Sequence, residues 1–205
     1  MTLVIIIITS LITIISFGRP DLMSKMQFNP YRVYHKKEYY RLFTHAFLHA
    51  DWMHLIINMF VLFSFGTTVE HYFKQLAVAG LLKNPNISFL ILYTGGILFA
   101  TTTTLYKHKN NTWYNSVGAS GAVSAIVFTS IFFAPLNKLF LYFIPLPGII
   151  AGVLYLAYSH YMSKKSKDNI NHDAHLLGAI FGFVFPIFID PGLIKLFFQQ
   201  LTHLT

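Results

Sequence analysis

The sequence predicts an all-α fold: a polytopic membrane protein built as a bundle of six transmembrane helices with an interfacial first loop. Three observations carry that prediction. Only 11% of the 205 residues are Asp, Glu, Lys or Arg, against about 25% in a typical soluble protein, too few to cover a water-soluble globule. The apolar fraction is 55%, including 21 Phe and 12 Tyr, and the mean hydropathy is +0.55, so surplus apolar surface must face lipid. Apolar stretches bounded by charges or Pro also recur at the length of about 17 to 25 residues that crosses a bilayer core.

The first span covers residues 1–17. It lacks the basic leading region and small-x-small cleavage site of a secretory signal and stops at Gly18-Arg19-Pro20-Asp21, so it reads as a retained span. Residues 18–52 form the longest connection. Its Tyr31, Arg32, Tyr34, Lys36, Lys37, Tyr39, Tyr40 and Arg41 suit the headgroup layer rather than the hydrocarbon. The remaining spans are residues 53–69, 87–106, 116–133, 141–162 and 174–189. Residues 191–205 are a short tail in which Leu193, Ile194, Leu196, Phe197 and Phe198 surround Lys195, the pattern of an interfacial amphipathic helix. No repeat or low-complexity tract divides the chain, so residues 1–205 read as a single membrane domain.

The formal net charge is +8, yet the basic residues are scattered between apolar runs without a stripe of interleaved aromatics. This argues for contact with anionic lipid headgroups and against nucleic acid. Counted on alternate sides of the predicted bundle, Lys and Arg number eleven on the side of the long loop and four on the other. By the positive-inside rule alone, the long loop would lie in the cytoplasm. The sequence has no Cys, which leaves Ser, His and carboxylates for any chemistry.

Polar residues inside membrane helices are costly and mark function or helix contacts. Three clusters qualify. HAFLHADWMHLIINM holds His45, His49, His54 and Asn58, and the spacing of four puts His54 and Asn58 on one helix face. His45 and His49 read as hydrogen-bonded packing groups; three His within ten residues could also bind a metal, but no HExxH pattern is present. SVGASGAVSA holds Gly118, Ser120, Gly121 and Ser124. It reads both as a close-packing surface of the GxxxG kind and as an uncrowded nucleophile with bare backbone N–H groups beside it. HDAHLLGAIFG places His175, Gly178 and Gly182 on one face of the last span, able to press against the small face of the fourth. That packing would bring His175 beside Ser120 as an activating imidazole.

These three clusters, on the second, fourth and sixth spans, resemble the rhomboid family of intramembrane serine proteases. The stretch RLFTHAFLHADWMHLIINMFVLFSFG from Arg41 is similar to the family's loop-to-second-span segment, GASGA at residues 118–122 to its GxSG motif, and AHLLGAIFG at residues 174–182 to its AHxxG motif. The resemblance covers residues 40–190. It implies a six-helix bundle of rhomboid type around a water-filled cavity, with a Ser–His dyad and no third acid. Ser120 would be the nucleophile and His175 the general base and later acid. His54, Asn58 and the Ser120 backbone N–H would form the oxyanion hole, with Gly118, Gly121, Gly178 and Gly182 in support. The implied substrates are transmembrane-helix proteins cut in or next to the helix, with membrane lipid as the other partner, no metal and no cofactor. The implied location is a bacterial plasma membrane with the site opening to the extracytoplasmic side, against the charge count. By family analogy the gate is the fifth span, where Pro145, Pro147 and Gly148 loosen the helix start.

Three positions depart from or qualify the pattern. Tyr40 precedes Arg41 where many members have Trp. Ser124 stands four residues after Ser120, where many place an aromatic that stacks on the histidine, and another aromatic is one substitute. Glu70 matches a carboxylate with a structural role. The rival readings are an inactive relative that binds or escorts membrane proteins, and a His-lined metal or proton transporter. The transporter would need intramembrane carboxylates, and Asp and Glu number only seven, nearly all in loops.

Overall fold

The first helix, α1 (Thr2–Phe17), is inverted relative to a helix in water. It buries Thr2, Thr9, Thr13 and Ser16 together with Ile5, and leaves Leu3, Ile7, Leu11 and Ile15 more than half exposed. The exposed aliphatic face suits contact with lipid, while the small hydroxyl face allows close approach to a neighbouring helix. At Gly66 of that neighbour a Cβ would stand 2.7 Å from the Thr2 hydroxyl.

The computed structural model describes residues 1–141, 144–165 and 171–202. After α1, the long loop folds into α2 (Pro20–Met26), α3 (Pro30–Lys36), α4 (Arg41–Thr44) and a 3-10 turn at His45–Phe47. Then follow α5 (Trp52–Val78), α6 (Pro85–His108), α7 (Ser120–Phe133), a hairpin of β1 (Lys138–Leu141) and β2 (Ile144–Pro147), α8 (Gly148–Lys165), α9 (His172–Ile189) and α10 (Leu193–Thr202). Among the described residues, α5, α6 and α9 are long and apolar enough to cross a membrane; α1 and α7 are shorter apolar helices.

The central element is α7, with nearly all its residues buried and α5, α6 and α9 packed around it. Fourteen residues span only about 21 Å. Small residues allow backbone-to-backbone packing on two sides. A Cβ on Gly96 of α6 would lie 2.9 Å from the Ala125 Cβ, and one on Gly182 of α9 would lie 2.0 Å from the Ala125 carbonyl oxygen. The Thr129 hydroxyl donates to the Gly182 carbonyl at 2.7 Å, closing the same seam.

Several predicted boundaries move. The fifth span does not begin at Leu141: residues 138–141 and 144–147 pair as antiparallel strands, from Lys138↔Pro147 to Leu141↔Ile144. Pro145 and Pro147 lack the N–H a helix needs and push their predecessors out of the α region, which suits a short edge strand. They therefore precede the helix rather than loosen it. α8 starts at Gly148, whose N–H bonds the Asn137 carbonyl. The second span runs nine residues beyond Val69, to Val78. The fourth starts at Ser120 rather than Ser116, because Gly118 sits at φ +123, outside any helix. In the tail, α10 packs Leu193 and Phe197 inward, the latter stacked 5.3 Å from Phe132; residues 203–205 of that predicted tail lie outside the described residues.

Candidate active site

The loop before α7 is held by the segment that carries α2 to α4. Arg41 is fully buried, pairs with Glu38, and donates from Nη1 to the Ser24 and Gln27 carbonyls at 2.8 Å each. The Thr44 hydroxyl donates to the Met26 carbonyl at 2.7 Å. This pins Phe28 and Asn29 against the residues preceding Ser120. Phe28 and Ser116 exchange both backbone bonds, at 2.9 and 3.0 Å. Asn29 Nδ2 reaches the Thr112 carbonyl and Asn115 Oδ1, and the Gly118 N–H donates to the His45 carbonyl at 3.0 Å.

His45 and His49 are packing groups, as one of the two sequence readings had it. Both are buried; His45 Nδ1 donates to the Arg41 carbonyl at 2.9 Å and His49 Nδ1 meets the Thr13 hydroxyl at 3.1 Å. Burial pushes the His45 pKa down to about 4 and the His49 pKa down to about 3, the latter helped by neighbouring His54. Both rings are neutral at pH 7.

α5 starts at the N-cap Asp51, whose carboxylate accepts the His54 N–H at 2.8 Å. The Ala50 N–H donates to His54 Nδ1 at 3.4 Å, so the neutral ring carries its proton on Nε2. That edge faces Gly118: a Cβ there would lie 2.9 Å from Cε1 and 3.0 Å from Nε2. Asn58, one turn on, is buried and gives one amide N–H to the His54 carbonyl at 2.9 Å, which leaves its second N–H for another acceptor.

α9 delivers the histidine. Asn171 caps it by accepting the Ala174 N–H at 3.1 Å and reaches across to the Thr104 hydroxyl at 2.8 Å. A Cβ on Gly178 would sit 2.1 Å from the Gly121 carbonyl oxygen, and one on Gly121 would sit 3.5 Å from the Ala174 carbonyl oxygen. The first turns of α7 and α9, carrying Ser120 and His175, therefore adjoin. The His175 ring lies nearly parallel to Tyr155 of α8, with centroids 6.4 Å apart and planes 18° apart. Tyr155 takes up the stacking that Ser124 cannot provide, and its hydroxyl lies 3.2 Å from Ser124 Oγ.

Ser120, Gly118 and Gly121 line a small cavity with Phe28, His45 and Asn171. It holds about 30 Å³ of water-sized space, room for about two waters. His54, Asn58, His175, Gly178 and Gly182 are not among its lining residues. Sequence reasoning missed Phe28, Asn29 and Tyr155, whose partners are distant in sequence. Asn171 was findable as an N-cap three residues before Ala174.

A family model described as "Rhomboid domain" matches residues 36–191. RHOMBOID-like protein 12, mitochondrial, of Arabidopsis thaliana is 32% identical over 155 aligned positions, covering 67% of this chain. The chain spans 43% of that relative's length. The relative is mitochondrial by name, so the comparison lends no support to the expected bacterial membrane. The matched segment runs from the Arg41 anchor through the Ser120 and His175 turns, and the chain is an integral membrane protein that belongs to the rhomboid family.

Proposed function

We propose that this chain is an intramembrane serine endopeptidase that hydrolyses a peptide bond in or next to the transmembrane helix of a membrane-protein substrate. The observation that carries the reading is the contact of Gly178 with Gly121, which sets the turns bearing Ser120 and His175 side by side. Ser120 Oγ bonds to the scissile carbonyl carbon while His175 takes its proton. The carbonyl electrons move to oxygen, which accepts from the Ser120 N–H, His54 Nε2–H and the second Asn58 N–H. The C–N bond then breaks as His175 gives its proton to the leaving amine, and a water deprotonated by His175 releases the acyl group and restores Ser120.

In this reading all six apolar segments cross the bilayer. α7 falls short of the roughly 30 Å core by about 9 Å, which sinks Ser120 below the headgroup plane. The site opens to the extracytoplasmic side, and a reporter fused after Thr205 that reads as extracytoplasmic overturns that orientation. Substrates must unwind before attack, so Gly, Pro or Ala near the scissile bond favours cleavage.

The test is cleavage of a model single-span substrate in membranes by wild type, Ser120→Ala and His175→Ala at matched expression. The dyad reading predicts cutting by wild type alone. Cutting by all three contradicts it, and binding without cutting by wild type moves the assignment to an inactive relative that escorts membrane proteins.

A further inference from the structure

Building on that dyad, we propose that Tyr155 is the positioning residue of His175, so that the base is aligned from α8. α8 and α9 are antiparallel neighbours, and each presents two rings three residues apart. Tyr155 lies parallel to His175 at 6.4 Å, and Tyr158 meets His172 edge-on at 5.7 Å. The two histidines lie 6.2 Å apart, edge to face. These separations fall in the range where ring pairs attract with a preferred orientation. The outer torsion of a histidine is broad when nothing restricts it. A flat ring alongside restricts it.

Tyr155 is itself held from α7. Its hydroxyl meets Ser124 Oγ at 3.2 Å, and Ser124 is buried one turn beyond Ser120. The link therefore runs from the Ser120 helix through α8 to the His175 helix. α8 is the least embedded of these three: it buries Gly148, Gly152 and Ser159, whereas α7 is buried almost throughout. It rests on α7 at Gly152, where a Cβ would lie 3.2 Å from Ile131 Cδ1 and 3.3 Å from Phe128 Cε1.

The experiment is steady-state cleavage of a model single-span substrate by the full chain in vesicles. It compares wild type, Tyr155→Ala, Tyr155→Phe and the double variant Ser124→Phe/Tyr155→Ala, with thermal unfolding measured on each. Tyr155→Ala is expected to lower kcat about 10- to 100-fold with KM within about twofold, as misplacement of a reacting group does. Tyr155→Phe keeps the ring and loses about fivefold or less. Returning a ring to the site from position 124 recovers at least about tenfold over Tyr155→Ala. Wild-type kcat in Tyr155→Ala overturns the proposal. So does a loss that is restored neither by keeping a ring, in Tyr155→Phe, nor by relocating one, and that tracks a lowered melting temperature. If wild type cuts no substrate, or cuts without needing Ser120, the dyad reading itself has failed and this proposal falls with it.

Discussion

Gly178 of α9 touches the backbone of Gly121 on α7 so closely that a single added Cβ would stand 2.1 Å from the Gly121 carbonyl oxygen and 3.1 Å from its Cα. No side chain separates the two helices there. The contact falls one residue after Ser120 and one turn after His175, so the distance between the turns that carry them is governed by backbone thickness rather than by flexible side chains.

Gly178→Ala is therefore expected to force α9 away from α7. Overpacking against backbone costs about 3 kcal/mol, and displacement of a reacting group by about 1 Å costs roughly 100-fold in rate. Gly18→Ala, where the nearest atom is 4.0 Å away, is the control and should leave melting temperature and cleavage at wild-type values.

In the proposed mechanism Gly118→Ala acts on the oxyanion side. The residue holds φ +123, and a Cβ would meet the His54 ring at 2.9 Å, so the substitution strains the loop and displaces His54. Loss of one oxyanion donor costs about 100- to 1,000-fold in kcat. The measurement is kcat and KM with an unchanged substrate; KM should move little.

Stability should fall in mild acid through His45. Burial pushes its folded-state pKa down to about 4, while an unfolded histidine titrates near about 6.5. The unfolded chain takes up the proton first, so stability is full above about pH 6.5 and falls as pH drops from there to about 4, by on the order of 3 kcal/mol. His49, pushed down to about 3, acts in the same direction. Thermal unfolding against pH should show a shallower slope for His45→Asn, whose amide can still donate to the Arg41 carbonyl. An equal slope would contradict this account.

The two cationic anchors should differ sharply. Arg41 is 1% exposed and donates to two backbone carbonyls besides Glu38, so Arg41→Ala leaves those acceptors unpaired and should cost at least about 2 kcal/mol. Lys107 pairs with Asp173 at 2.6 Å but is 51% exposed, and Lys107→Ala should change stability by no more than about 0.5 kcal/mol. Melting temperatures of the two variants in one detergent decide the comparison.

The legible parts of the molecule are those encoded locally. Apolar length places α1, α5, α6, α7 and α9 to within a few residues, except where α5 carries Glu70, His71 and Lys74 past the apolar run. Motif spacing singles out Ser120, His175, His54 and Asn58 as candidates, and small-residue periodicity points Gly178 at the fourth span, where it meets Gly121. Hydropathy cannot see the paired strands β1 and β2, because a strand and a helix of the same apolar residues score alike and only Pro145 and Pro147 distinguish them. The pairing of Phe28 with Ser116 joins segments 88 residues apart, and backbone pairing of that kind has no periodic signature. Tyr155 is hidden for the same reason: it lies 20 residues from His175 on another helix, and only the vacancy left by Ser124 hints that a ring must come from elsewhere.

The central claim is that Ser120 is a nucleophile activated by His175. The most direct measurement is covalent labelling of the full chain in membranes by a fluorophosphonate, comparing wild type with Ser120→Ala and His175→Ala. The account predicts a label on Ser120 in wild type, none in Ser120→Ala, and a labelling rate lowered at least about 100-fold in His175→Ala. An unlabelled wild type, or labelling that persists at the same rate in either variant, would contradict it.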